Sequence, residues 1–236
     1  MTLDDLVKQL HAAYGTALRS IVLYGSAAGG EASAKKADYN VIVIVDSLDP
    51  ARLRAASAAS RAWVEAGNHA PLTLTHDEWR GSADIFPMEY ADILDRHKVL
   101  HGEPPFEGIR VDHNDLRLQL EQEAMGKLIR LRQGLLGAGN DEDRELELLA
   151  SSLSPIMIVF RAFSRLHGTQ PSKDNVQLVE SVASRAGFDA APFVRVVRHI
   201  RGDPPLKAAE AGEVLAGYLR GVERLVSYLD HYQPVG

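Results

Sequence analysis

The sequence predicts an α/β domain followed by an all-helical one, on three observations. Short apolar strands alternate with amphipathic helices up to residue 101. A proline- and glycine-rich stretch then interrupts all periodicity, and every apolar pattern beyond it repeats at helical spacing. Leu3, Leu6, Val7, Leu10 and Ala13 form the first helical face, with Thr2 as cap and Gly15 as stop. Ser20 to Tyr24 reads as a buried strand ended by Gly25-Ser26. Asn40 to Asp46 is a second strand, whose Val-Ile-Val-Ile-Val run is apolar on both faces. Asp49-Pro50 opens a helix reaching about Ala66, aspartate as cap and proline in the first turn. Leu72 to Thr75 is a third strand, His76 to Asp95 a broken helical stretch, and Lys98 to His101 a fourth strand.

Gly102-Glu-Pro-Pro-Phe-Glu-Gly108 reads as a linker. The expected division is residues 1–101, a linker at 102–109, and a bundle over 110–236. Five helices are expected in the bundle: 114–136, 141–166, 172–186, 191–199 and 207–232. No internal repeat or low-complexity run appears.

Composition excludes several classes of function. The 236 residues (25.8 kDa) are 45% hydrophobic and 25% charged, an ordinary globular balance. With no cysteine there can be no disulfide, thiolate zinc site, iron–sulfur cluster or cysteine nucleophile. Unbroken apolar runs such as Val41 to Val45 fall far short of a bilayer span, and the N-terminus is acidic rather than signal-like. A cytoplasmic protein with no membrane partner is expected. Residues 1–109 carry 10 Lys+Arg against 15 Asp+Glu, and residues 110–236 carry 16 against 17. Neither half offers the basic face that a long nucleic acid requires, whereas a small anionic ligand needs only a few cations.

One stretch carries chemistry. A strand ends in Gly25-Ser26, a short turn follows, and the next strand opens with Asp38-Tyr39-Asn40. Gly25 lets a ligand approach the backbone closely, and Ser26 offers a hydroxyl and an N–H at a helical start, a cradle for an anion. Asp38 and Asn40 are two residues apart on a strand and project from one face. A metal held by Asp38 can bridge to phosphate oxygens.

This arrangement resembles the polymerase-β-like nucleotidyltransferase superfamily, marked by Gly-Ser, a spacer of roughly ten residues, then Asp-x-Asp in an apolar strand. Here eleven residues separate Ser26 from Asp38. The wider layout is similar to small-molecule nucleotidyltransferases of the aminoglycoside-modifying type, which pair an N-terminal domain built on a mixed sheet with a C-terminal helical bundle. The resemblance implies Mg²⁺-dependent transfer of a nucleoside monophosphate from a nucleoside triphosphate to a hydroxyl of a small molecule or protein. It also implies roles. Gly25 and Ser26 would hold phosphates, with Lys36 (beside Lys35) near the triphosphate. Asp38 would be the catalytic and metal-binding acid, and Asn40 a weakened second metal ligand. The plainer reading of the two lysines is an exposed loop.

The chain departs from the family pattern in three places. Asn40 stands where a second carboxylate is expected, Leu72 to Thr75 contains no third acid, and Gly29-Gly30 replaces an arginine. Glu89 and Asp92, one helical turn apart, are candidate replacements, though a solvated helix face is the simpler explanation. Some relatives take a general base from the helical domain, where Glu121 and Glu123 would be the analogues. Glu123 and Lys127 are explained equally well as an i,i+4 pair. Lys127, Arg130 and Arg132 are either phosphate anchors or the polar side of a helix. The reading is thus a nucleotidyltransferase with an eroded acidic site. The alternative is a non-catalytic descendant that binds a nucleotide or a partner, including a second copy through the bundle.

Rival motifs fare worse. Gly25-x-Ala-x-x-Gly30 with Asp46 loosely fits a dinucleotide fingerprint, but too few residues remain for a parallel crossover. His97 and His101, four apart around a strand, do not suit zinc. No nucleophile elbow or Walker pattern is present.

Overall fold

The computed structural model describes residues 1–25, 27–28 and 39–233. The chain divides into two compact units, Met1–Asp112 and His113–Gly236.

The first unit is built on a four-stranded mixed sheet. Its elements are α1 (Leu3–Tyr14), β1 (Leu18–Tyr24), β2 (Asn40–Val45), α2 (Pro50–Glu65), β3 (Leu72–Thr75), α3 (His76–Gly81), α4 (Pro87–Asp95) and β4 (His97–Gly102). The strand order is β3-β2-β1-β4. β1 runs antiparallel to both β2 and β4, and β2 runs parallel to β3. The antiparallel β1–β2 pair removes the dinucleotide-fold reading, which needs those strands parallel.

Strand alternation sorts the apolar residues onto the two faces of the sheet. Ile21, Leu23, Val41, Val43 and Val45 pack with Leu6 and Leu10 of α1 and Trp63 of α2. Val22, Ile42 and Ile44 pack with Trp79 of α3 and with Tyr90 and Ile93 of α4. The helices start where their caps dictate. Thr2 and Thr75 each form reciprocal capping boxes with an acid three residues on, and Asp49 accepts from Arg52 N.

The proline–glycine stretch does more than connect. Trp79 stacks on Tyr90, with ring centroids 4.3 Å apart, and its Nε1–H donates to Pro105 O. Phe106, Ile109 and Val111 lie against the same cluster. These residues therefore close the α3–α4 face of the sheet.

The second unit is helical throughout: α5 (His113–Ala138), α6 (Glu142–Leu166), α7 (Asn175–Ala186), α8 (Ala191–Arg201) and α9 (Ala211–His231). α6 supplies most of its core, burying Leu149, Leu153, Ile156, Phe160 and Phe163 among others. It is also the one described helix long and apolar enough to cross a membrane by length and composition. Phe160, Phe188, Phe193 and Tyr218 form a continuous aromatic layer.

Candidate functional site

The site lies at the end of the sheet where β1 stops and β2 starts. Tyr24 closes β1 and pairs with Asn40, the first residue of β2, on one side and with His97 of β4 on the other. The next residue, Gly25, takes φ +77°, a conformation that L side chains disfavour, and this turns the chain out of the strand. Its N–H donates to Arg96 O at 3.1 Å, and its carbonyl accepts from Ala28 N at 3.1 Å. Gly25 therefore has no amide to offer a phosphate. What it contributes is the space a side chain would fill.

That space brings the polar residues together. A Cβ on residue 25 would lie 3.4 Å from Asn40 Nδ2 and 3.8 Å from Asp92 Oδ2. Asp92 belongs to α4, the helix after β3, and it reaches the ends of β1 and β2 because α4 is tied to β4 by a single residue. α4 ends at Asp95, Arg96 caps it by donating to Asp92 O, and β4 begins at His97 opposite Tyr24. The last turn of α4 is thereby held beside Gly25.

The electrostatics agree with this placement. Burial pushes the Tyr24 hydroxyl above the ordinary tyrosine range, and the nearby carboxylates of Asp92 and Glu89 push it the same way. Asp92 is half-buried beside Gly25, while Glu89, one helical turn earlier, is exposed as a solvated helix face would be.

The other expected site residues separate clearly. Ser26, Lys35, Lys36 and Asp38 lie outside the described residues, as do Gly29 and Gly30. Glu121 pairs with Arg117 at 2.7 Å and Glu123 with Lys127 at 2.5 Å, both i,i+4 on α5. Arg132 pairs with Glu223 of α9 at 2.8 Å. Lys127 and Arg130 line a cleft between α5 and α6, together with Ser151 and Ser152. His97 and His101 do not converge. His97 Nδ1–H donates to Ile93 O and its ring lies on Phe106, whereas His101 meets His11. Asp46, at the far end of β2, is ion-paired with Arg19.

Among the described residues, no three His, Asp or Glu side chains gather closely enough to hold a metal. The described polar groups beside Gly25 are the Asp92 carboxylate and the Asn40 amide, which turns its Nδ2 toward Gly25, with Asp38 two residues upstream in sequence. Mg²⁺ takes hard oxygen donors such as the Asp92 carboxylate, and the Asn40 amide would join it only by presenting its oxygen in place of Nδ2.

Comparison with known proteins agrees with this architecture. No family model and no curated protein matches the chain. Among solved structures it is similar to the crystal structure of spectinomycin adenyltransferase AAD(9) from Enterococcus faecialis with ATP and spectinomycin. The two chains are 12% identical, the match covers 96% of this chain and 98% of that one, and the TM-score is 0.55. The fold is nucleotidyltransferase-like. At this identity the likeness establishes the arrangement of elements and carries no residue roles across.

Proposed function

We propose that this protein binds a nucleoside triphosphate with a divalent cation at the β1–β2 end of its sheet and transfers a nucleoside monophosphate to a hydroxyl of a small molecule. The observation that carries this reading is Asp92. The acid missing from β3 and from position 40 is matched by a carboxylate from α4, beside Gly25 and Asn40. The solved neighbour's ATP and spectinomycin support a nucleotide donor and a small-molecule acceptor.

In this reading Asp38, Asn40 and Asp92 hold the cation, and Gly25 keeps the approach open by carrying no side chain. The cation, when bound, neutralises phosphate charge and orients the α-phosphorus. The acceptor oxygen forms a bond to the α-phosphorus while the bond to the bridging oxygen of the β-phosphate breaks. Pyrophosphate leaves, and the hydroxyl proton passes to a base. Two acidic groups and one neutral amide balance one divalent ion better than two, so a single-cation site is expected.

A second reading follows from Asn40 itself. Its neutral amide at the head of β2 supports a nucleotide-binding protein without turnover. One experiment separates the two. Calorimetric titration with ATP, GTP, CTP and UTP, with and without Mg²⁺, is followed by release of pyrophosphate in the presence of hydroxylated acceptors. Mg²⁺-dependent binding lost in both Asp38→Ala and Asp92→Ala, together with pyrophosphate release, supports transfer. Binding without release under every acceptor supports the second reading. Absence of binding by the folded protein removes both.

A further inference from the structure

Helix α5 carries two apolar faces. Leu116, Leu120, Ala124, Leu128 and Leu131 are buried in its own unit. On the opposite side Leu118, Met125, Ile129 and Leu136 are between 42% and 83% exposed. At 3.6 residues per turn these four fall within about 20° of a single line, which runs about 27 Å along the helix. Such a stripe is the seam of a helix pair rather than overflow from a core.

The stripe is also palindromic. Met125 and Ile129 stand two residues either side of Lys127, and Leu118 and Leu136 nine residues either side. A twofold rotation that reverses the helix direction superposes the stripe on itself, as an antiparallel interface between identical chains requires. The polar edges obey the same rule. Glu121 and Arg132 border one edge, six residues before and five after Lys127, and Gln122 and Gln133 border the other, five before and six after. A twofold axis perpendicular to the helix pair sets each edge against the same edge of the second copy at inverted height.

We infer that α5 pairs antiparallel with α5 of a second copy of this chain. Leu118 then meets the partner's Leu136, Met125 meets the partner's Ile129, Arg132 meets the partner's Glu121, and Gln122 meets the partner's Gln133. A parallel pairing would instead set the edge of Glu121 and Arg132 against the partner's glutamine edge and form no charge pair, so the charges favour the antiparallel one. Arg132 already bonds Glu223 and remains half-exposed, and its guanidinium has donors enough to bridge both acids. The seam continues into a shallow groove between α5 and α9, where Leu128 and Val226 lie beside Met125. This extends the contact toward the roughly 800 Å² per partner that stable interfaces bury.

The test uses the full chain. Sedimentation equilibrium across a concentration series is expected to give twice the 25.8 kDa chain mass. Arg132→Glu and Glu121→Arg are each expected to weaken the dimer at least about tenfold, and the double variant to recover it to within about threefold. Leu118→Glu with Leu136→Glu should give monomers. The charge-swap series decides the matter even if that apolar variant misfolds. Because the chain has no cysteine, Met125→Cys and Ile129→Cys variants can be mixed and oxidised. Cross-linking between the two variants in preference to like with like is expected. Three results would each overturn the inference: a monomer at every concentration, a dimer indifferent to the charge swap, or preferential like-with-like cross-linking.

Discussion

The two units differ in where their polar residues converge. In the helical unit, acids and bases pair along or between helices: Arg117 with Glu121, Lys127 with Glu123, Arg132 with Glu223, Arg195 with Glu210 and Arg201 with Asp174. Each pair is explained by its spacing or by the neighbouring helix, and each lies at least partly in solvent. In the α/β unit, where Arg19 pairs with Asp46 and Arg52 with Asp49, three segments distant in sequence also bring Gly25, Asn40 and Asp92 to one point. The difference shows that charge density along the chain is a poor guide to function here. Convergence from separate elements is the better one.

Several substitutions would break or sharpen this contrast. The largest effect is expected from Asp92→Ala. Loss of the carboxylate proposed to hold the cation should weaken Mg²⁺-dependent nucleotide binding by about 10–100-fold, read by calorimetry. Gly25→Ala comes next. It places a side chain at φ +77° and against Asn40 and Asp92, which should cost about 1–2 kcal/mol in denaturant unfolding and weaken nucleotide binding as well. Asn40→Asp puts an acid at the head of β2 and should tighten binding of the metal–nucleotide by about tenfold, since it would add a carboxylate at the proposed cation site.

A smaller effect separates the units by pH. His167, packed between Phe163, Tyr228 and Tyr232, is held down to about 4 by burial, with Arg185 adding to the shift. Its neutral form is favoured in the folded state, so the unfolded chain binds more protons between pH 6.5 and 4. The stability of the helical unit should therefore be full above about pH 6.5 and fall as the pH drops toward 4. His167→Gln should flatten that slope in thermal melts followed across the pH range. The smallest effect belongs to Glu123→Gln, which removes a surface pair and should change stability by about 0.5 kcal/mol or less, with nucleotide binding unaltered.

Much of the fold was legible in the sequence, because its signals are local. Thr2, Asp49 and Thr75 cap the helices they precede, and the Val41–Val45 run reads as a strand buried on both faces and is one. The site was half legible. Gly25 and Asn40 stand in a recognisable strand–turn–strand frame, but Asp92 looks from sequence like any acid on a helix face. Its position depends on β4 pairing antiparallel with β1, so that the one-residue step from α4 to β4 brings the end of α4 to Gly25. Strand order is a property of the whole sheet, and no local pattern encodes it. The same holds for the proline–glycine stretch. Its turn residues signal a break in periodicity, yet the indole of Trp79 bonding Pro105 makes it part of the sheet's cover.

The central claim, that Asp92 supplies the carboxylate absent from the strands, is tested most directly by Mn²⁺ binding followed by electron paramagnetic resonance in the presence of a non-hydrolysable nucleoside triphosphate. The wild type is expected to bind one Mn²⁺ per chain in a nucleotide-dependent way, and Asp92→Asn to weaken that binding at least about tenfold. Mn²⁺ and nucleotide binding unchanged in Asp92→Asn would contradict the account.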